Sequence, residues 1–192
     1  AGLATQSDRR KGSGVKVVER KILRRGAKFD VVVHVLETEN GERLEREFID
    51  HPGSVVLAPM LDDGRIVLIR NLRHSIGKPI VELPAGTAHR GEPPEETAAR
   101  ELTEETGYVA GRLRLLCEFY ACPGATTEWM RLYLADRLTP GTMRLEADED
   151  ITVLPTPLDE ALAMTTDGRI CDAKTMLGIW RAAQLRGSDR KS

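Results

Sequence analysis

The order of hydrophobic and polar positions along the chain predicts many short strands and a few helices. Runs rich in β-branched residues, or alternating apolar with polar positions, are typical of strands when turn-forming residues bound them. Apolar residues at helical spacing indicate amphipathic helices. These patterns predict strands over residues 16–23, 29–36, 43–49, 54–59, 65–70, 113–120, 129–135 and 151–154, and helices over residues 93–106, 158–166 and 172–186. Such a mixture predicts an α+β fold in which helices sandwich mixed sheets.

Turn-forming residues indicate how some of these strands connect. Asn40-Gly41 has the chemistry of a tight hairpin turn between the second and third predicted strands. Residues 61–64 predict a second hairpin turn, between two strands that we expect to be central, and residues 139–141 predict a further turn. His34 lies within an apolar strand, and we interpret it as a packed histidine rather than a ligand.

The helix over residues 93–106 is bounded by residues that favour its two ends. Pro93 and Pro94 suit the first turn, where a missing N–H group has no helical partner to lose and φ is preset. Gly107 suits the left-handed position after the last turn. The sequence therefore predicts a helix that begins at the proline pair and ends at the glycine.

One face of this helix concentrates acidic side chains. At about 3.6 residues per turn, Glu101 and Glu105 lie one above the other, and Glu104 lies beside them. Hard divalent cations such as Mg²⁺ prefer oxygen ligands, and carboxylates on successive turns can supply them. Ions held there could neutralise a pyrophosphate and activate a water molecule. The alternative interpretation is an acidic face that is simply solvated.

Composition limits the classes of protein to consider. A chain of 192 residues suits one ordinary domain with a small extension, and a net charge of −2 argues against nucleic acid as a partner. No apolar run approaches the length of a membrane span, and the polar residues 1–14 resemble a tail rather than a secretory signal. The three cysteines are scattered without a C-x-x-C pair, which favours reduced thiols in a cytoplasmic protein.

The segment from Gly86 to Gly107 carries a specific resemblance. It reads G-x5-E-x7-R-E-L-x-E-E-x-G, and so resembles the signature of the Nudix hydrolases at every charged and glycine position. Tyr108, where that family usually has an aliphatic residue, is a departure that changes only a packing contact. The resemblance implies a Nudix fold of α/β/α layers and a requirement for Mg²⁺, with Mn²⁺ able to substitute.

Two flanking features narrow the resemblance to one branch of the family. Residues 82–86, Glu-Leu-Pro-Ala-Gly, lead directly into the signature, and Pro123 follows Gly107 by sixteen residues. Both are similar to the enzymes that hydrolyse ADP-ribose and related nucleoside diphosphate sugars. The branch implies cleavage of ADP-ribose to AMP and ribose 5-phosphate. GDP-mannose or another sugar nucleotide is an alternative substrate, and a non-catalytic nucleotide-sugar sensor is an alternative of a different class.

The resemblance also implies roles for individual residues. Those expected to hold the metal are the Ala85 carbonyl, Glu101, Glu105 and Glu92, the last of which could instead be a structural partner of the loop. Those expected at the substrate are Arg73, on the diphosphate or nucleotide, together with Glu82, Pro123 and Glu128. A surface role for Arg73 and an ordinary strand position for Glu128 stay open.

Catalysis is expected to involve the acidic loop that precedes the last strand. By resemblance, Glu149 positions or deprotonates the attacking water. In some relatives the base lies two residues earlier, where this chain has Ala147 beside Glu146, so Glu146 and Glu128 remain alternatives. Glu104 is expected to support the metal ligands. Arg100 is expected to orient a signature carboxylate through a charge-assisted bond.

The resemblance further implies a homodimer. Arg46 and Glu47 lie in a segment that, in ADP-ribose hydrolases, reaches the neighbouring subunit's site, although a surface pair across strands is an equal alternative. We accordingly divide the chain into a tail (1–14), an N-terminal strand extension used in dimerisation (15–52), a Nudix hydrolase domain (53–187) and a short tail (188–192). Asp172 is interpreted as the N-cap of the last helix.

Overall fold

The computed structural model describes residues 14–189, so residues 1–13 of the first predicted tail and residues 190–192 of the last lie outside the described part. The described chain contains ten strands and three helices. They are β1 Val15–Arg25, β2 Asp30–Thr38, β3 Arg43–Asp50, β4 Ser54–Pro59, β5 Arg65–Arg73, β6 Lys78–Glu82, β7 Ala85–Thr87, α1 Pro94–Thr106, β8 Tyr108–Tyr120, β9 Trp129–Pro140, β10 Ile151–Pro157, α2 Leu158–Met164 and α3 Ala173–Asp189.

These elements form two compact units. The N-terminal unit comprises the described residues up to 51 together with residues 124–126, and the second unit comprises residues 52–123 and the chain from residue 127 onward. In the N-terminal unit, β1, β2 and β3 form an antiparallel sheet with β2 in the centre. Residues 124–126 join this unit because the Ile49 N–H donates to the Ala125 carbonyl at 2.9 Å.

Two predictions for the N-terminal strands are confirmed. Gly41 has a φ of 77° and its N–H donates to the Thr38 carbonyl at 2.9 Å, which closes the turn of the β2–β3 hairpin. The ring of His34 is half-buried and meets the ring of Phe48 edge to face, with 4.6 Å between centroids. His34 is therefore a packed side chain, as its apolar surroundings in the sequence indicated.

The second unit is an α/β/α sandwich built around β4 and β9. One sheet has the order β7-β4-β9-β8, with β4 and β9 parallel, and the other has the order β10-β5-β6. All six residues of β4 are buried, and the strand period of two sends alternate side chains to opposite faces. Val55 and Leu57 pack in the cluster that includes Leu102 of α1. The predicted fold class is confirmed.

The other face of β4 packs into a second, larger core. Val56 and Ala58 belong to a cluster that includes Leu158 of α2 and Ile179 of α3. Burial of these aliphatic side chains on both faces supplies the main stabilising free energy, at about 25 cal/mol per Å² of apolar surface. The signature helix α1 and the C-terminal helices thus lie on opposite sides of one sheet.

The turn at residues 61–64 does not join a regular hairpin. The Leu61 N–H donates to the Arg65 carbonyl at 2.9 Å, but β4 and β5 belong to different sheets and share only the bridge between Met60 and Ile66. β4 already pairs with β7 on one edge and with β9 on the other, so no edge remains for β5. Each strand is nevertheless central in its own sheet, as predicted.

Several elements extend further than the sequence patterns indicated. β5 continues to residue 73, β8 begins at residue 108, and β9 continues to residue 140 through the predicted turn over 139–141. Pairing of β8 with β9 supplies backbone hydrogen bonds along both strands, so the strands include residues whose own strand propensity is weak. β6 and β7 were not predicted, and α3 includes residues 188–189 of the predicted tail. No helix within residues 14–189 is long and apolar enough to cross a membrane.

Candidate active site

Helix α1 has the bounds that its proline and glycine residues predict. Pro93 is the extended N-cap, Pro94 is the first helical residue, and Gly107 has a φ of 70° with its N–H donating to the Thr103 carbonyl at 2.9 Å. The apolar face of the helix buries Ala98 and Leu102 completely. Its acidic residues are therefore held at defined positions by the packing of the opposite face.

Arg100 is the hub of this acidic surface. Its Nε and Nη2 donate to the two carboxylate oxygens of Glu92, both at 3.0 Å, which is a bidentate contact. Its Nη1 donates to Glu101 at 2.7 Å and to Glu104 at 3.0 Å. The hydrogen bonds from Arg100 hold the pKa of Glu92 at about 2. Arg100 thus contacts three signature carboxylates at once.

Glu92 is also a structural partner of the loop that precedes α1. Its Oε2 accepts a hydrogen bond from the His89 N–H at 2.9 Å, in addition to the contact with Arg100. Both carboxylate oxygens are therefore engaged by the protein. Of the two roles that the sequence left open for Glu92, the described contacts are those of the structural partner, and its role as a metal ligand stays a prediction.

Glu105 is the most deeply buried of the signature carboxylates. Only 3% of the residue is exposed, and its Oε2 accepts a hydrogen bond from the Ala85 N–H at 2.9 Å. Burial raises its pKa to about 8, the Ala85 hydrogen bond opposes the increase, and the charges of Glu101, Glu149 and Glu82 add to it. Burial likewise raises the pKa of Glu101, although Arg100 opposes the shift.

The donor set fits a hard divalent cation. Within residues 14–189 no three His, Cys, Asp or Glu side chains are close enough together to enclose a metal ion. The contacts explain this, because Glu101 binds Arg100 and Glu105 binds the Ala85 N–H. Burial is the largest cause of the raised pKa of Glu101 and of Glu105, and a cation bound to their oxygens would favour the charged forms.

Glu149, in the acidic loop before β10, interacts electrostatically with the signature carboxylates. Its negative charge raises the pKa of both Glu101 and Glu105. Its carboxylate accepts a hydrogen bond from the Glu146 N–H at 2.9 Å, within its own loop. The loop is connected to the end of β5, since the ring of His74 lies 3.0 Å from the Asp148 carbonyl. The structure therefore brings Glu149 near the signature carboxylates.

A cavity of about 470 Å³ lies beside this acidic group, which is large enough for part of a small-molecule ligand. Ala85 and Gly86 form part of its wall next to the signature helix. Arg73 and Glu128 also line it, and their contact with substrate stays a prediction. Glu128 accepts a hydrogen bond from the Ser54 hydroxyl at 2.6 Å.

Glu82 differs from the expectation that it lines this site. It is fully buried and does not contribute to the cavity wall. Its carboxylate instead contacts Arg73 at 2.9 Å and Lys174 at 2.8 Å, and these two cations line the cavity. Burial increases along β6 from the exposed Lys78 to the fully buried Glu82, and the short segment before the signature did not reveal this.

Sequence reasoning did not identify several residues of the cavity wall, among them Ser54, Tyr120 and Lys174. Lys174 lies in the segment that resembles the subfamily, but the preferred interpretation there was N-capping by Asp172. That cap is present, since Asp172 Oδ2 accepts a hydrogen bond from the Thr175 N–H at 3.1 Å. The resemblance of that segment was therefore the available signal for Lys174.

Three of the residues expected at the substrate lie elsewhere in the described chain. Pro123 is exposed in a turn and does not line the cavity. Arg46 and Glu47 are exposed on β3 of the N-terminal unit, where their register partners are His34 and Val33. Arg46 and Glu47 therefore do not face each other across two strands. Their reach into a neighbouring subunit stays a prediction.

Comparisons with known proteins identify the family of this chain. Residues 50–176 match the family described as the NUDIX domain. The ADP-ribose pyrophosphatase of Bacillus subtilis is 36% identical over 166 residues, which cover 85% of this chain and 90% of that protein. The chain therefore belongs to the Nudix family.

Two further relatives extend the comparison. The GDP-mannose pyrophosphatase of Citrobacter koseri is 35% identical over 161 residues, which cover 76% of this chain and 82% of that protein. A crystal structure of an ADP compounds hydrolase superposes with a TM-score of 0.80 over 95% of this chain and 100% of that chain, at 22% identity. The structural likeness confirms the predicted Nudix fold.

Proposed function

We propose that the protein is a divalent-metal-dependent pyrophosphohydrolase of nucleoside diphosphate sugars, with ADP-ribose as the favoured substrate. One observation carries this proposal. The cavity has Ala85 and Gly86, which adjoin the buried acidic group, on one part of its wall, and the cations Arg73 and Lys174 on another. A diphosphate requires both a divalent cation and basic side chains, and this cavity can offer both.

Each residue has a role in this proposal. Glu101 and Glu105, with the Ala85 carbonyl, would hold Mg²⁺ or Mn²⁺, and Glu104 would support them. When bound, the cation neutralises charge on the diphosphate and makes a water molecule more acidic. Arg100 keeps the carboxylates in place through the contacts described above. Arg73 would bind the diphosphate as a planar, permanently charged donor.

Glu149 would accept the proton of the attacking water. Water then adds across the P–O–P bridge, so that ADP-ribose gives AMP and ribose 5-phosphate. For this step Glu149 must leave the Glu146 N–H that it binds in the described structure, as a loop that closes over substrate allows. Glu146 and Glu128 remain alternative bases, and the Glu128 carboxylate would have to leave the Ser54 hydroxyl that it binds.

The substrate is best supported as ADP-ribose by the relative from Bacillus subtilis, and GDP-mannose is the second candidate because of the relative from Citrobacter koseri. A panel of sugar nucleotides incubated with Mg²⁺ tests both. We expect the highest kcat/KM with ADP-ribose, with AMP and ribose 5-phosphate as products, and loss of turnover in excess EDTA. Preferential cleavage of GDP-mannose would transfer the assignment to the second candidate.

A nucleotide-sugar sensor without activity is the alternative of another class. Glu105→Gln removes the charge of a proposed metal ligand while a side-chain oxygen still accepts from the Ala85 N–H. We expect the kcat of this variant to fall by several orders of magnitude. We also expect the variant to be folded, as shown by a cooperative thermal unfolding transition. Bound ADP-ribose recovered intact from the wild-type protein with Mg²⁺ would support the sensor and contradict the enzyme.

We propose in addition a homodimer in the cytoplasm. The resemblance of the segment with Arg46 and Glu47 to ADP-ribose hydrolases supports the dimer, and the three free cysteines, of which Cys122 and Cys171 are exposed, are compatible with a reducing compartment. Light scattering tests the first part. We expect twice the mass of the chain for the wild-type protein, and a monomer that is fully active would contradict a site shared between subunits.

A further inference from the structure

Glu82 is a buried carboxylate that does not reach the cavity. It is the last residue of β6, and none of it is exposed. A charge in such a place is tolerated only when partners compensate for its lost hydration. Two cations do so: Arg73 Nη2 lies 2.9 Å from Glu82 Oε1, and Lys174 Nζ lies 2.8 Å from Glu82 Oε2.

Both cations extend past Glu82 to the cavity. The side chain of Arg73 is 37% exposed and that of Lys174 is 15% exposed, and both line the cavity wall. Arginine and lysine carry long, flexible side chains that lose rotamer freedom when they are held in one place. The two oxygens of the Glu82 carboxylate therefore contact one cation each, while Glu82 itself does not line the cavity.

A second set of contacts holds the same region together. Lys174 Nζ also lies 2.9 Å from Asp172 Oδ2, at the beginning of α3. The Leu83 N–H, directly after Glu82, donates to the Thr175 hydroxyl at 2.8 Å. The end of β6 and the first turn of α3 are thus connected by an ion pair and by a buried hydrogen bond. These contacts fix the backbone position from which the Lys174 side chain extends.

The electrostatics of this group agree with such a role. Burial alone would lower the pKa of Arg73, but its interactions with Glu82 and the charges of Glu105 and Asp172 together outweigh that effect, so the pKa is raised. Glu82 Oε1 has no hydrogen bond of good geometry and contacts Arg73 only as an ion pair. The guanidinium therefore keeps donors that are not directed at Glu82.

We propose that Glu82 is a positioning residue that holds Arg73 and Lys174 side by side, so that both charged groups face one diphosphate in the cavity. Glu82 itself does not touch the ligand. The proposal rests on the proposed function for the identity of the ligand. Because the two cations contact the diphosphate before and during the reaction alike, loss of Glu82 weakens binding of substrate and transition state equally.

The test uses Glu82→Gln in the full chain. We expect KM for ADP-ribose to rise about 10- to 100-fold, the range expected for loss of hydrogen bonds to charged groups, with kcat within about twofold of wild type. The control is Glu160→Gln, which removes the exposed ion pair with Arg169 at 3.1 Å on α2 and should leave both constants unchanged. Unchanged KM in a folded Glu82→Gln variant would overturn the proposal, as would a loss confined to kcat.

Two further variants separate positioning from general stability. Glu82→Asp keeps the charge but is one methylene shorter and cannot reach both cations, so its KM should lie between those of wild type and Glu82→Gln. If Glu82→Gln does not fold, the KM of Glu82→Asp tests the proposal: a raised KM supports it, and an unchanged KM contradicts it. In a Lys174→Met background, Glu82→Gln should raise KM by a smaller factor than in wild type, because one of the two positioned cations is gone. Equal factors in both backgrounds would contradict the proposal.

A binding measurement keeps this result separate from the proposed activity. Calorimetry with inorganic pyrophosphate and Mg²⁺ requires no turnover. We expect Glu82→Gln to weaken pyrophosphate binding by the same factor as KM, and Glu160→Gln to leave it unchanged. If wild type hydrolyses no sugar nucleotide, the proposed function fails while the pyrophosphate result still decides the role of Glu82. Equal pyrophosphate affinity in wild type and Glu82→Gln, or no binding by either, would overturn the inference.

Discussion

The carboxylate of Glu101 occupies the space in which a side chain at residue 86 would lie. A Cβ built on Gly86 would overlap the carboxyl atoms of Glu101. The backbone of Gly86 is not in the left-handed region, so the requirement for glycine here is steric rather than conformational. The first glycine of the signature and its central glutamate are therefore in direct contact, although fifteen residues separate them in sequence.

Replacing Gly86 with alanine should displace Glu101 from this position. We expect Gly86→Ala to weaken Mn²⁺ binding and to lower activity by about 10-fold or more, since a misplacement of about 1 Å in a catalytic group is sufficient for such losses. Titration of Mn²⁺ by electron paramagnetic resonance measures the first effect. Gly187→Ala is the matched control, because no atom lies within 4 Å of the added methyl group. Wild-type Mn²⁺ affinity in Gly86→Ala would contradict the steric explanation.

The raised pKa of Glu105 predicts a pH-dependent stability for the metal-free protein. Its pKa is about 8 in the folded chain, against an ordinary value of 4.5. Between these values the folded state binds a proton more tightly than the unfolded state, so the contribution of Glu105 is complete below pH 4.5 and is lost as the pH rises through about 8.

Glu105→Gln removes this titration. In the presence of EDTA, we expect the Tm of Glu105→Gln minus that of wild type to increase from pH 5 to about pH 8 and then to level off, because the neutral amide loses no proton. Differential scanning calorimetry at several pH values measures this difference. A difference that stays constant over the range would show that Glu105 does not carry a raised pKa.

The assignment of the base predicts a specific kinetic defect. Glu149→Gln should lower kcat by about 100-fold or more, within the range usual for loss of a general base, and should leave Mn²⁺ affinity close to that of wild type. Glu146→Gln and Glu128→Gln, assayed in parallel, serve as comparisons at the two alternative positions. If the kcat of Glu149→Gln equals that of wild type, Glu149 is not the general base, and the residue whose variant has the lowered kcat takes that role.

The contacts of Arg100 predict that lysine cannot replace it. A lysine at this position could not reproduce the bidentate contact with Glu92 together with those to Glu101 and Glu104. We expect Arg100→Lys to lower the free energy of unfolding by about 1–3 kcal/mol in urea titrations and to weaken metal binding. Arg112→Lys, at the exposed pair with Asp136, is the control. Equal losses in the two variants would refute a special role for Arg100.

The part of this effect that comes from Glu92 should not depend on pH in the neutral range. The pKa of Glu92 is lowered to about 2 from an ordinary value of 4.5, so the stabilisation it gives is present above pH 4.5 and is lost only as the pH falls toward 2. A Glu101→Gln background removes the titration of the other partner of Arg100 with a shifted pKa, and there the difference between Arg100→Lys and Arg100 at pH 5 should equal that at pH 8. A difference that disappears at pH 5 would mean that another group carries the stabilisation.

Local chemistry in the sequence was sufficient for the signature helix and for strand β4. The proline pair and Gly107 determine the bounds of α1, because each acts on its own backbone dihedrals and hydrogen bonds. Residues 54–59, a serine followed by an apolar run, predicted a central strand with the same bounds, since a strand buried on both faces tolerates such a run. The spacing of the glutamates likewise follows from helical geometry alone.

Only the tertiary structure decided how distant residues share one site. β4 and β5 belong to different sheets because β7 and β9 occupy both edges of β4, which no local turn signal conveys. Glu82 is buried beneath Arg73 and Lys174, although the motif alone placed it at the substrate. The pKa of Glu105 also depends on burial and on charges that other segments bring near it. Dihedral preferences and helical spacing act within a few residues, whereas edge pairing, desolvation and Coulomb interaction depend on which segments meet after the chain has folded.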